Sequence, residues 1–210
     1  MVGAFCLRDL LQDPAYSSVV ALVRRELPGA HDPRLRQKVV DFEKLGAADF
    51  AGATDVFCAL GTTIRTAGTQ EAFRRVDLDY PLAAARLGKQ AEAQQFLLVS
   101  SVGADPVSKN FYLRTKGELE QELRKLELPA LHIFHPGLLL GVREERRPGE
   151  RFAQKIAPAL NLTLFGPLRR YRSIAAETVA KAMVAAANQE ERGTWVYEYD
   201  DMVSLGKPKS

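Results

Sequence analysis

The chain has 210 residues, 46% hydrophobic, 26% charged and 8% aromatic, the profile of an ordinary globular domain. A chain of that length buries roughly 70% of its unfolded surface, so it needs no disulfide or metal to hold a core, and disorder, collagen-like repeats and a disulfide scaffold are excluded. With 29 Lys+Arg against 26 Asp+Glu, the net charge of +3 is too mild and too evenly spread for a nucleic-acid-binding protein.

From the N-terminus, residues 4–11 carry Phe5, Cys6, Leu7, Leu10 and Leu11 at helical spacing and stop at Asp13-Pro14, so the chain opens on a helix. Residues 18–23 form a short strand rich in β-branched side chains, 38–41 a second and 55–60 a third ending at Gly61. Residues 69–89 read as helical around Phe73, Val76, Leu78, Leu82 and Leu87, interrupted by Pro81. A strand at 96–99, a helix over 112–126 with Leu119, Leu123 and Leu126 on one face, and a strand at 131–134 follow. The pattern loosens from 142 to 172 around a charged turn at 143–149, then 173–188 is an Ala-rich helix and 195–197 a last edge strand. Continuously apolar strands alternating with helices predict an α/β fold with a doubly wound parallel sheet. A single domain over 1–210 is expected, with a substrate-side lobe at about 138–172.

Cys6 and Cys58 lie in apolar runs, and no CxxC or Cys/His spacing suggests a metal site. Neither a run of about 18 apolar residues nor a basic-then-apolar leader occurs, so no membrane span is expected and the predicted compartment is the cytoplasm. His31, His132, Cys58 and Trp195 read as structural residues.

In a doubly wound sheet ligands bind beyond the carboxyl ends of the strands. Arg24 and Arg25 end the first strand, roughly 20 residues after Gly3, where a dinucleotide-binding domain carries the group that reads the adenosine ribose. An acid there would bind the 2′-hydroxyl of NAD, whereas two guanidiniums match a 2′-phosphate, so the expected cofactor is NADP(H). The three-glycine fingerprint is reduced to Gly3, and the usual strand order puts the first strand at the centre of the sheet. The expectation is therefore that the first strand and most of the glycine-rich loop are missing from this chain, and that roughly 10 to 20 residues precede Met1 in the natural protein.

A second constellation follows the strand at 96–99. Ser100 and Ser101 stand at its carboxyl end, and Tyr112 follows Ser101 by eleven residues, with Lys116 four further on and so on the same helical face. Hydride transfer to a carbonyl leaves an alkoxide that needs a proton; a phenol supplies one, and a neighbouring ammonium favours the phenolate it leaves behind. Tyr112 and Lys116 are thus the candidate proton-transfer pair, and Ser101, in preference to Ser100, the hydrogen-bond donor to the substrate oxygen.

With these strings in place the sequence resembles an atypical short-chain dehydrogenase/reductase, and within that group the Tat-interactive oxidoreductase family. The resemblance runs through Val40-Asp41-Phe42-Glu43-Lys44-Leu45, Leu60-Gly61-Thr62-Thr63, Val76-Asp77-Leu78-Asp79-Tyr80, Ser100-Ser101-Val102-Gly103-Ala104-Asp105, Asn110-Phe111-Tyr112-Leu113 with Lys116-Gly117-Glu118, Pro136-Gly137-Leu138-Leu139 and Arg147-Pro148-Gly149-Glu150. It implies a Rossmann-type NAD(P)-binding fold with Arg24 and Arg25 on the 2′-phosphate and Leu60, Gly61, Thr62 and Thr63 beside the dinucleotide. It also implies Asp41 and Phe42 near the adenine, and Pro136, Leu139 and Arg147 at the cofactor or the border of its pocket. His135 departs from the arginine that many relatives carry before Pro-Gly. The implied function is hydride transfer between NADPH and a small carbonyl or alcohol; the alternative is a catalytically weak NADPH-binding regulator that acts through a protein partner.

Overall fold

The computed structural model describes residues 1–29, 31–140 and 164–207. Arg147, the charged turn at 143–149 and most of the 138–172 lobe therefore lie outside the described residues.

Helix α1 (Val2–Gln12) buries Val2, Cys6 and Leu10, one residue per turn on a single stripe. At its end Asp13 N donates to Asp9 O and Leu10 O, and the Arg34 guanidinium donates to Leu11 O in the last turn and to Asp13 O and Tyr16 O in the loop that follows. Strand β1 (Val19–Val23) pairs in parallel with β2 (Leu35–Val39), Val19 opposite Leu35 and Val23 opposite Val39. The second strand was expected at 38–41 and begins three residues earlier. As an outer strand it buries little and carries Arg36, Gln37 and Lys38, so its apolar run marks only its end. Asp41 lies outside it and caps a 3-10 turn, Phe42–Lys44.

Strands β3 (Asp55–Cys58), β4 (Gln95–Val99) and β5 (Ala130–Phe134) lie side by side. Two short strands, β6 (Leu139–Leu140) and β7 (Ile174–Ala175), pair with each other, and β8 (Gly193–Tyr197) joins β5, giving a parallel sheet in the order β3-β4-β5-β8. The β2-β1 pair and this four-stranded sheet match the two flanks of a doubly wound order, and among the described residues no strand lies between β1 and β3.

The helices cover the sheet on both faces. After β3 come α2 (Ile64–Ala67), α3 (Gln70–Arg74) and α4 (Tyr80–Gln90), with a π-helical turn at Arg75–Asp79 joining the last two. Pro81 does not interrupt this helix as expected. It sits in the first turn of α4, just past the widened turn in which Tyr80 N–H reaches back to Arg75 O, so its missing N–H and its ring are accommodated. Helix α5 (Phe111–Lys125) precedes β5, α6 (Ala176–Ala187) precedes β8, and α7 (Tyr199–Leu205), which no sequence signal announced, follows it. Along β4, Phe96 and Leu98 face α4 and α5 beside Leu119 and Leu123, whereas Leu97 and Val99 face α1 and α6 beside Cys6 and Met183. The alternation of a strand's side chains thus builds two cores from one apolar run, each large side chain contributing about 1.5–3 kcal/mol.

His132, at the centre of β5, is wholly buried; its Nδ1 is 2.9 Å from the Tyr197 hydroxyl and its Nε2 has no hydrogen-bond partner among the described residues. Burial holds its pKa below the usual histidine value. Below about pH 6.5 the unfolded chain binds a proton that the folded imidazole refuses, so stability falls on acidification through that value and is constant above it. Thermal unfolding followed between pH 7.5 and 5.5 is expected to show a falling Tm, with a shallower slope in His132→Leu.

Candidate active site

Strands β3, β4 and β5 are parallel, so their carboxyl ends open on the same edge of the sheet. The first turn of α1 reaches it: a Cβ placed on Gly3 would lie 3.5 Å from Ala59 Cβ, just past β3. That turn carries no acidic side chain, so its N–H groups and the positive end of the helix dipole are not opposed by a carboxylate.

At the end of β1, Arg24 and Arg25 are exposed, and the Arg24 guanidinium lies 5.9 Å from the centroid of the buried Phe42 ring. Phe42 leans on Tyr80 at 5.9 Å. Asp41 is committed locally, accepting from Glu43 N at 3.0 Å and pairing with Lys44 at 3.8 Å.

The segment 60–63 leaves β3 and turns into α2, capped by the Thr63 hydroxyl, which accepts from Thr66 N at 3.2 Å. Thr62 N–H donates to Asp77 Oδ2 at 2.7 Å, and Asp77 Oδ1 is 2.7 Å from Lys116 Nζ. Both side chains of this ion pair are withdrawn from water, 1% and 4% exposed. Gly61 lies over the pair, since a Cβ there would come within 3.3 Å of Asp77 Oδ1 and 3.9 Å of Lys116 Nζ.

Helix α5 starts at Asn110, whose side chain accepts from Leu113 N at 3.2 Å. Tyr112, near its start, is half-buried with its ring 5.8 Å from that of Phe73, and its hydroxyl has no hydrogen bond among the described residues. The helix is pressed against the loop after β4. A Cβ on Gly117 would stand 2.2 Å from the Asp105 carbonyl carbon, so only glycine lets this backbone cross α5. In that loop the two serines diverge. Ser100 is buried and its hydroxyl donates to Glu120, whereas Ser101 is half-exposed and its Oγ, among the described residues, meets only Val102 O, at 3.3 Å.

The structure thus brings Gly61 and Thr62 to Lys116 through Asp77, with Tyr112 one turn earlier on α5; Ser101 follows β4, Gly3 lies near Ala59 at the end of β3, and Arg24 lies beside Phe42. Pro136 is buried beside this loop, accepting from Val102 N at 3.0 Å. Leu139, by contrast, packs against the core on the α1 face. Two residues escaped the sequence reading. Asp77 carried a signal, an acid four residues after Phe73 on the buried face; Glu120 carried another, the third member of a stripe with Tyr112 and Lys116 at steps of four. Cys6 and Cys58 are inert, their thiols pushed by burial to about 12 and about 11.

No family model matches the chain. Rat Protein HTATIP2 is 42% identical over 162 residues, covering 75% of this chain and 66% of the rat protein, so the matched stretch spans just under two thirds of that relative. Protein fmp52, mitochondrial, of Emericella nidulans is 30% identical over 222 residues, covering 99% of this chain and 95% of its own length. Among solved structures, MoeE5 in complex with UDP-glucose and NAD superposes with a TM-score of 0.69 at 17% identity, covering 98% of this chain and 77% of that one. DesIV (dTDP-glucose 4,6-dehydratase) from Streptomyces venezuelae, a double mutant with NAD and DAU bound, gives 0.70 at 16% identity, with 98% and 76% covered. At such identities the likeness establishes the fold, the Rossmann type that the sequence predicts. The cytoplasmic expectation is overturned by the relatives, several of which are named mitochondrial. Unpaired cysteines and the lack of an apolar run were its basis, and both are shared by more than one compartment; no described helix is long and apolar enough to cross a membrane.

Removing one member of a buried ion pair leaves the other charged and unsolvated. Asp77→Asn is accordingly expected to lower unfolding stability by about 3–5 kcal/mol, and an apolar replacement of both partners, Asp77→Leu with Lys116→Met, to recover much of the loss, as read from urea midpoints.

Proposed function

The chain belongs to the family of HTATIP2 and the FMP52 proteins, and from that premise we propose that it is an NADP(H)-dependent oxidoreductase of the short-chain dehydrogenase/reductase type, acting on a small carbonyl or alcohol. The observation that carries the reading is the Thr62–Asp77–Lys116 chain, which joins the segment expected beside a dinucleotide to the helix that bears Tyr112. The residues fit such a cofactor. Gly61 presents no side chain over the pair, the first turn of α1 offers its N–H groups without an opposing carboxylate, and two guanidiniums end β1.

When bound, a nicotinamide dinucleotide supplies or accepts the hydride. Arg24 and Arg25 hold a 2′-phosphate through charge-assisted hydrogen bonds, and Phe42 backs Arg24. The first turn of α1 receives the diphosphate. Ser101 Oγ donates a hydrogen bond to the substrate oxygen, and Tyr112 gives its phenolic proton to the same atom, or takes it in the reverse direction. Lys116 lies one turn from Tyr112 on the same face of α5, and Asp77 fixes where its Nζ sits.

A second reading draws on the same pair. Because Asp77 neutralises Lys116, a protein that binds NADPH and turns over slowly, acting on a protein partner through the bound form, would use the same residues. Reduction of a carbonyl panel separates the two. In the enzyme, Tyr112→Phe lowers kcat by about 10²–10⁴-fold with NADPH affinity retained; in the regulator, wild type and variant bind NADPH alike and neither turns over.

Cofactor choice has its own test. Replacing Arg24 and Arg25 with Ala removes charge-assisted contacts worth about 1.5–3 kcal/mol each, so NADPH affinity is expected to fall at least tenfold while NADH affinity changes little. Equal losses for both dinucleotides in a fluorescence titration would remove the 2′-phosphate assignment.

A further inference from the structure

One turn beyond Lys116, the Glu120 carboxylate is 3% exposed and receives donors from three parts of the chain. Oε1 accepts from the Ser100 hydroxyl and lies 2.8 Å from His135 Nε2, and Oε2 accepts from Arg124 Nη2 at 3.2 Å. Burial alone would push its pKa up, but the His135 and Ser100 hydrogen bonds and the nearby Arg124 charge outweigh it and hold the carboxyl below its ordinary value. The residue that receives these bonds is therefore an ionised acid inside the fold, and it connects β4, α5 and the end of β5.

We propose that Glu120 is a positioning residue for the reaction, and that His135 is the donor that keeps it in place. The proposal rests on the reading of Tyr112, Lys116 and Ser101 given above. Ser100 is the neighbour of Ser101, and successive side chains of an extended segment point to opposite sides. Anchoring Ser100 to Glu120 therefore turns Ser101 to the side away from α5 and fixes its direction at the end of β4. The backbone is fixed at both ends of this tie: Ser100 N donates to Phe134 O at 2.8 Å, and His135 N to Tyr197 O at 2.9 Å. Among the described residues the Ser101 hydroxyl has only the 3.3 Å contact with Val102 O, so its direction is set from behind. A cavity of about 550 Å³ between α5 and the Ala104–Pro106 loop, with His135 on its wall, opens the outer side of this node. Its cations Arg124 and Lys125 are already paired with Glu120 and Glu122, so the cavity serves the node as open space rather than as an anion site.

The test compares wild type, Glu120→Gln, His135→Leu, His135→Arg and Tyr112→Phe in the full chain. NADPH is titrated by its fluorescence, and phenanthrenequinone and 4-nitrobenzaldehyde serve as carbonyl probes. Misplacing a reacting group by about 1 Å costs on the order of 10²-fold. Glu120→Gln and His135→Leu are therefore expected to lower kcat by about 10–100-fold with NADPH Kd unchanged. His135→Arg, which keeps an N–H donor to the carboxylate, is expected to retain wild-type kcat within a few-fold. The proposal is overturned, with the underlying reading intact, if Tyr112→Phe is inactive while Glu120→Gln and His135→Leu match wild type. It is equally overturned if they lose NADPH affinity in step with kcat, or if His135→Arg fails to retain kcat, since each marks a merely structural role. If neither probe is reduced by wild type, the emission yield of bound NADPH decides: a change in Glu120→Gln at unchanged Kd supports the proposal, and no change overturns it. Failure of wild type to bind NADPH, or a fully active Tyr112→Phe, removes the underlying reading and this proposal with it.

Discussion

An ammonium and a carboxylate 2.7 Å apart, both taken out of water, set the terms for everything around them. Desolvating each ion costs several kcal/mol, and their attraction recovers that only where the geometry is good and the remaining lone pairs are met. Here the second oxygen of Asp77 is met by the Thr62 N–H, which fixes the path of the segment leaving β3. Gly61 passes close over the pair, where a Cβ would press on Asp77 Oδ1 at 3.3 Å, and the turn that carries Asp77 presents it to α5. The position of Lys116 is thus the outcome of three segments meeting at one carboxylate.

A comparable economy governs the two adjacent serines after β4. One hydroxyl is inside, bound to an ionised acid; the next faces the open edge with almost nothing holding it. The contrast follows from strand geometry, which sends neighbouring side chains in opposite directions, and from the close contact of the following loop with bare helix backbone at Gly117. A rigid support and an uncommitted polar group are what a binding edge requires together.

Much of this was legible in the sequence because it is local. Tyr112 and Lys116 share a face by a step of four, β4 is apolar from Phe96 to Val99 and β5 is apolar but for His132, and Arg24 and Arg25 stand at a strand's end. What was not legible depends on contacts between distant segments. The pairing of Asp77 with Lys116 needs the turn after α3 to meet α5, and spacing within either helix does not announce it. The β2 boundary was missed because an outer strand need not be apolar, and Pro81 misled because a proline's effect depends on whether the preceding turn is regular.

The π-helical turn at Arg75–Asp79 adds length to a helix whose two ends are both pinned, Phe73 beneath the rings of Phe111 and Tyr112 and Leu82 in the core against the sheet. Each residue advances a helix by about 100°. Deleting one residue here to restore a regular helix would swing one end about its axis by that angle, so that Phe73 and Leu82 could not both keep their neighbours. This stretch can accept substitutions of side chains far more readily than changes of length, and its residue count is itself a structural quantity, as strictly held as any contact in the molecule.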